Sequence, residues 1–492
     1  MGASPHAFRP DRLSLSCALR SSLFSFSAAY TDPKLIMKIA IEGCCHGELD
    51  AIYAELTRLE QQNRYKVDLL LICGDFQAIR NHRDLACMAV PDKYKKLGGF
   101  AKYYTGDAKA PILTLVIGGN HEASNYFWEL YHGGWIAHNI YYLGHANCVQ
   151  VNGVRIGGAS GIFKPGDFHL GNYERPPYNH GTMRSIYHIR EYNIRRLSLL
   201  SPLTIFLSHD WPQGIAHHGD LGDLLRRKPY FRDDINKGVL GSPPMMDLLH
   251  TLHPAWWFSA HLHCRFEATV EHRPPSAVPA PQAVVSAEKT NPDEINIDDE
   301  DDDAPAALPA SASTSTIAEK APEVPRNPDE ITLSDEEDEV EAPPPPPPPP
   351  VTTRFLALDK CLPRRKFLEV IDVDAPTPSP GPPTLTYDPE WLAITRAFNP
   401  HMSTERHQKG YPDEAPARAA VADALEWVRA HVPAGGAPRV EDVQQFVMVA
   451  PGPAADEPRA PPPYYPNPQT AAFCTMLQIK NKVDFPPAAG LN

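Results

Sequence analysis

The sequence lacks any apolar run long enough to cross a bilayer as a helix, so no helical span and no membrane partner are expected. It also lacks paired cysteine spacings. Its nine cysteines are scattered, which argues against a disulfide framework. Three of them, Cys44, Cys45 and Cys73, lie beside candidate metal ligands, and that favours a reducing compartment. Outside one segment the chain has no excess of either charge. Residues 272–350 hold 19 acidic and 4 basic residues, which leaves 41 acidic and 42 basic elsewhere. The formal net charge of −14 therefore belongs to that segment, and the remainder does not repel a nucleic-acid backbone.

At 492 residues the chain exceeds one compact domain, and two with linkers are expected. Residues 1–36 read as an N-terminal extension, disordered or preceding a start at Met37. An Arg- and Ser-bearing mitochondrial leader is the less favoured reading. Residues 37–271 alternate strand-like and helix-like stretches, as an α/β catalytic domain does. Most of the excess among the 54 prolines falls after Arg273, with an unbroken run at 343–350, so residues 272–350 read as a disordered acidic, Pro-rich insert. Within it Asn291-Pro292-Asp293-Glu294-Ile295 recurs as Asn327-Pro328-Asp329-Glu330-Ile331. The repeat is either linker duplication or a pair of docking motifs for a protein partner. Residues 351–374 look like strands returning to the catalytic domain, and 385–485 like a small C-terminal helical module.

Five short motifs carry the chemistry: Gly43-Cys44-Cys45-His46, Gly74-Asp75, Gly119-Asn120-His121-Glu122, Ser208-His209-Asp210 and His261-Leu262-His263. Four follow apolar, β-prone runs at 37–41, 67–73, 112–117 and 203–207, and the fifth follows 255–259. Ligands in open α/β sheets gather beyond the carboxyl ends of strands. The expected metal ligands are Cys44, His46, Asp75, Asn120, His209, His261 and His263. Asp75 suits a bridge, because its two oxygens can reach two ions. His46 and His263 suit one ion, and Asn120, His209 and His261 the other. Imidazole accepts Zn, Fe or Mn alike, so two divalent metals are expected without a choice among them.

These motifs resemble the calcineurin-like metallophosphoesterases, with Cys44 standing where an Asp is usual and Ala260 where a Gly is usual before His261. The thiol variant is closer to one family. Gly43-Cys44-Cys45-His46-Gly47-Glu48-Leu49-Asp50, Cys73-Gly74-Asp75-Phe76-Gln77-Ala78 and Trp257-Phe258-Ser259-Ala260-His261-Leu262-His263 resemble RNA lariat debranching enzymes. So do Arg354-Phe355-Leu356-Ala357-Leu358-Asp359-Lys360-Cys361-Leu362-Pro363-Arg364-Arg365 and Tyr387-Asp388-Pro389-Glu390-Trp391-Leu392. The resemblance implies a metallophosphoesterase β-sandwich flanked by helices. It also implies hydrolysis of the 2′–5′ phosphodiester of branched lariat RNA in the nucleus, with His121 as general acid. It maps a lariat-recognition loop onto about 160–190, where Phe163, Lys164, Tyr173, Tyr178, Arg184, Tyr187 and Arg190 become the expected RNA contacts. Aromatics there can stack on bases while cations hold phosphates. Two other readings remain open: a phosphatase or phosphodiesterase of another substrate class, and a non-catalytic scaffold of the same fold.

Overall fold

The computed structural model describes residues 35–272, 351–377, 381–454 and 460–484. The N-terminal extension to residue 34, the acidic insert and its repeat lie outside the described residues.

Two sheets form the centre. The first contains β1 (Leu35–Glu42), β2 (Leu69–Ile72), β3 (Leu113–Val116), β4 (Gly134–Ala137) and β5 (Ile140–Tyr142). The second contains β6 (Ala146–Val151), β7 (Val154–Ala159), β8 (Ile205–Ser208), β9 (Trp256–Ser259), β10 (Phe266–His272) and β11 (Val351–Ala357). β12 (Leu368–Ala375) returns to the first sheet and β13 (Leu385–Tyr387) to the second, giving orders β12-β1-β2-β3-β5-β4 and β10-β11-β9-β8-β7-β6-β13. The triplets β1-β2-β3 and β7-β8-β9 are parallel, so each sheet sends several carboxyl ends the same way.

Strict period-two alternation explains the layering. Met37, Ile39 and Ile41 of β1, with Leu69 and Leu71 of β2, join the main core shared with Ile205, Leu207 and Phe258 of the second sheet. Ala40, Leu70 and Ile72 face the other way, onto Leu49, Ile52 and Leu56 of the helix Leu49–Asn63. Both faces are buried, which is why these strands read as continuous apolar runs. Between β6 and β7, Asn152 and Gly153 both adopt positive φ, at 48° and 81°, as the two-residue turn of a hairpin requires. Residues 272 and 351 are ladder partners in the antiparallel pair β10–β11, so the insert leaves and re-enters the sheet at one point.

The sequence pattern predicts one helix over 184–200, and the structure interrupts it. The 184–200 stretch forms Thr182–Ser185 and Glu191–Leu197 instead of a single helix. Ile162 accepts from the Ile189 amide at 2.9 Å and donates to Tyr187 O at 3.3 Å, and this tertiary pairing occupies the break between the two helices, where Arg190 is extended. In the C-terminal module, helices Pro389–Phe398 and Glu414–His431 pack together. Asp388 caps the first through the Trp391 amide and also pairs with Arg155 of β7 at 2.7 Å, tying the module to the second sheet.

Candidate metal centre and substrate cleft

All seven expected ligands lie just beyond strand ends. Cys44 and His46 follow β1, Asp75 follows β2 and Asn120 follows β3, while His209 follows β8 and His261 and His263 follow β9. The first sheet thus supplies four donors and the second three. The ligand atoms of Cys44, His46, Asp75 and His263 lie within 4.8 Å of one another. His46 Nε2 and His263 Nε2 are 3.1 Å apart. Asp75 Oδ2 lies 3.7 Å from His46 Nε2 and 3.3 Å from His209 Nε2, so this one oxygen stands between the two ligand groups. Its second oxygen accepts from the His121 amide at 2.9 Å. His209 Nε2 is also 3.2 Å from Asn120 Oδ1. The His261 amide contacts Cys44 Sγ at 3.1 Å, and the His261 ring lies beside that of His209, 5.0 Å between centroids.

The backbone is shaped to make this convergence. His46, Asp75, His261 and His263 all have positive φ, between 45° and 62°. Such strain in non-glycine residues persists only where surroundings enforce it. Gly119 explains part of the enforcement. A Cβ there would meet Asp75 Oδ1 at 2.2 Å and His209 Nε2 at 2.7 Å, so no other residue fits beneath the ligands. Glu122 locks the turns from behind, accepting from the amides of Phe76, Gln77 and Gly119 at 2.7–2.9 Å. Burial raises its carboxyl to about 7 against these bonds, with Asp75 adding to the rise.

The donor set fits cations. His209 Nδ1 donates to Cys73 O at 2.8 Å, which directs Nε2 at the Asp75 and Asn120 oxygens. Burial would lower His209, but Asp75 and the Cys73 carbonyl outweigh it and raise the imidazole, so positive charge is favoured between these atoms, carried by a proton or by a metal ion in its place. Burial would raise Asp75, but His209, His121 and His46 outweigh it and hold the carboxyl well below its ordinary range. Burial pushes His261 down to about 3, with His209 adding to it, so this imidazole is neutral and able to ligate. Burial, then Asp75 and Glu42, push the Cys44 thiol well up, so only a bound cation would make it a thiolate. Cys45 points to the opposite core and packs with Leu49 and Ile52.

A cleft of about 440 Å³ opens over His46, Asp75, Asn120, His121, His261 and His263. The half-buried His121 ring reaches it and stands edge-on to His46 at 5.4 Å. Of the expected RNA contacts, the structure brings Arg184 and Tyr187 to the cleft. The others lie off its lining. Arg190 is 2 % exposed, and its guanidinium is spent on Glu174 Oε1 at 2.5 Å and Asp167 O at 2.8 Å, so it braces the loop and cannot reach RNA. Tyr178 is packed against the main core, and Tyr173 lies 3.4 Å from Ser185 Oγ. Phe163 is edge-on to Phe168, its amide donating to Asp210 at 3.2 Å, and its neighbour Lys164 is half-buried. Asp210 therefore anchors the loop. Sequence reasoning missed Tyr94, Lys96 and Lys360, which do line the cleft. Lys93-Tyr94-Lys95-Lys96 carries the same aromatic-basic interleaving that singled out 160–190.

Comparison with known proteins agrees with this geometry. The calcineurin-like phosphoesterase family model matches residues 37–265, and the lariat debranching enzyme C-terminal domain model matches 350–482. The lariat debranching enzyme of Arabidopsis thaliana is 40% identical over 92% of this chain and 89% of its own length. The chain belongs to the lariat debranching enzyme family. The Danio rerio member is 39% identical over 90% of this chain, and the human member 42% identical over 73% of it. This chain spans 66% of the Danio rerio relative and 54% of the human one. The family's phosphoesterase domain implies divalent metal ions, in keeping with the ligand cage.

Proposed function

We propose that this chain hydrolyses the 2′–5′ phosphodiester at the branch point of lariat RNA, releasing a linear RNA with a 5′-phosphate and a free 2′-hydroxyl. The observation that carries the reading is the cage itself: seven donors from five strand ends meet around Asp75, with a thiol in first place, on a chain of this family. Two divalent ions bound there would polarise the scissile phosphate and supply a nucleophilic hydroxide. The mixed thiol and imidazole donors of Cys44, His46 and His263 favour Zn or Fe over Mg, with Mn the harder alternative. Asp75 spans the two ligand groups and holds the His121 backbone in place through its second oxygen. The His121 ring lines the cleft without contributing to the cage, and it donates a proton to the leaving 2′-oxygen. Arg184 and Tyr187 hold the RNA beside it. Acting on excised introns, this chain would work in the nucleus.

The test is incubation of the purified chain with a synthetic 2′–5′ branched RNA, with and without chelator. Metal-dependent release of a linear product is expected. Hydrolysis of a generic aryl phosphate with no action on the branch would overturn the substrate assignment. His121→Ala should lose about 10²–10⁴-fold in single-turnover rate while binding branched RNA as tightly as wild type.

A further inference from the structure

The cleft has a second side. Strand order puts β2 between β1 and β3, so features flanking β1 and β3 stand two strand spacings apart, roughly 10 Å. Arg184 and Tyr187 belong to the β3 side: Gly161 donates to Gly118 O at 2.9 Å, and Ile162 donates to Tyr187 O. Tyr94 and Lys96 belong to the β1 side, because the Gly99 amide donates to Gly47 O at 3.0 Å. Lys360 is on that side too. It forms a parallel bridge with Cys44, and the Cys361 amide donates to Cys44 O at 3.1 Å. The metal ligands lie between.

Each side holds the same chemistry: an aromatic ring with a cation nearby. Apart from metal ligands and His121, the charged residues of the lining are Lys96, Arg184 and Lys360 against Glu48. In a chain whose remainder is near neutral, that concentrates positive charge where a polyanion would lie. The branch nucleotide continues into 5′ and 3′ limbs, and the scissile bond joins it to a third, 2′-linked limb. RNA therefore leaves the scissile phosphate in opposite directions.

We propose that Tyr94, Lys96 and Lys360 form a second RNA wall, which holds the limb on the other side of the scissile bond from the limb held by Arg184 and Tyr187. This rests on the branched-RNA reading above. It also gives a place to the basic turn Pro363-Arg364-Arg365-Lys366, which follows directly from the cleft residue Leu362. The wall spans the insert: Tyr94 and Lys96 precede it and Lys360 follows it. Tyr94 is half-buried, packed on the cluster of Ile79, Leu85, Met88 and Val90, so its ring is held in place for stacking.

The test uses three branched substrates: a complete one, one with the 2′-linked limb trimmed to a single nucleotide, and one with the branch nucleotide's own 5′ and 3′ limbs removed. Lys96→Glu is exposed and carries little folding risk. It should lower kcat/KM on the complete substrate by about tenfold and flatten its salt dependence by about 0.7 in log–log slope. Tyr94→Leu keeps the bulk that packs but removes the stacking face, and a loss of about fivefold or more is expected. The Lys96→Glu deficit should shrink to under about threefold when one side is trimmed, and the Arg184→Glu deficit when the other side is trimmed. If both deficits follow the same side, or neither responds to trimming, or Lys96→Glu has no deficit at all, the second wall is wrong. Wild type failing to cut any branched substrate would instead overturn the proposed function.

Discussion

The turns that carry the expected metal ligands and the connection at 160–190 are built in opposite ways. Each ligand turn is a few residues long and fixed by its neighbours: positive φ at His46, Asp75, His261 and His263, no room for a Cβ at Gly119, and three amides gripping Glu122. The connection at 160–190 is long and held by polar groups, many of them its own, with outside anchors at Asp210, Gly118 and Ser403. His188 pairs with Asp167 at 2.6 Å, Arg190 with Glu174, and Ser185 donates to Glu174. Charge centres that must stay within tenths of an ångström are set at the ends of rigid strands. On the 160–190 connection, residues of similar chemistry divide into braces such as Arg190 and cleft residues such as Arg184.

The comparison breaks most sharply at Gly119. Gly119→Ala drives a methyl group into Asp75 and His209, and the turnover of branched RNA should fall at least about 10²-fold. Circular dichroism should show retained secondary structure, and metal analysis should show reduced metal content. Normal activity in this variant would mean that the cage tolerates displacement.

Two arginines in one loop give the next contrast. Arg190→Ala leaves Glu174 buried without its partner and should cost about 3 kcal/mol in urea unfolding. Arg184→Ala should leave the unfolding free energy within about 0.5 kcal/mol of wild type and raise KM for branched RNA. The reverse pattern would exchange their assignments.

Cys44→Asp replaces a soft donor by a hard one within the same rigid turn. Activity titrations with Zn, Fe and Mn should move in favour of Mn. An unchanged order of preference would show that Cys44 does not touch a metal.

The smallest effect is expected from the largest excision. Removing 273–350 and joining His272 to Val351 through a short flexible turn should leave debranching rates within about twofold, because the two residues are already ladder partners and closing a shorter loop costs less entropy. Loss of activity in the soluble variant would give the insert a part in the reaction. Normal activity in vitro with failure in cells would favour partner docking on its repeated Asn-Pro-Asp-Glu-Ile elements.

By itself the sequence determined the motif-bearing strands, the order of the motifs at their ends and the family, for a local reason. Strands buried on both faces show as apolar runs, and the residues following such a run must emerge at the sheet edge, so the placement of Cys44, Asp75, Asn120, His209 and His261 beyond strand ends was legible from position alone. The Asn152-Gly153 pair between two apolar alternations is itself a hairpin signal, because the turn's backbone needs those residues. Tertiary structure decided what depends on contacts between distant segments. The 184–200 helix breaks where Ile162 reaches across to 187–189. Arg190 turns inward because Glu174 is buried beside it. Lys360 joins the cleft because a bridge sets it beside Cys44, more than three hundred residues earlier in the chain. Periodicity records which face of an element is buried, but a charged side chain is equally at home on a buried partner or a phosphate, and only the folded neighbourhood chooses between them.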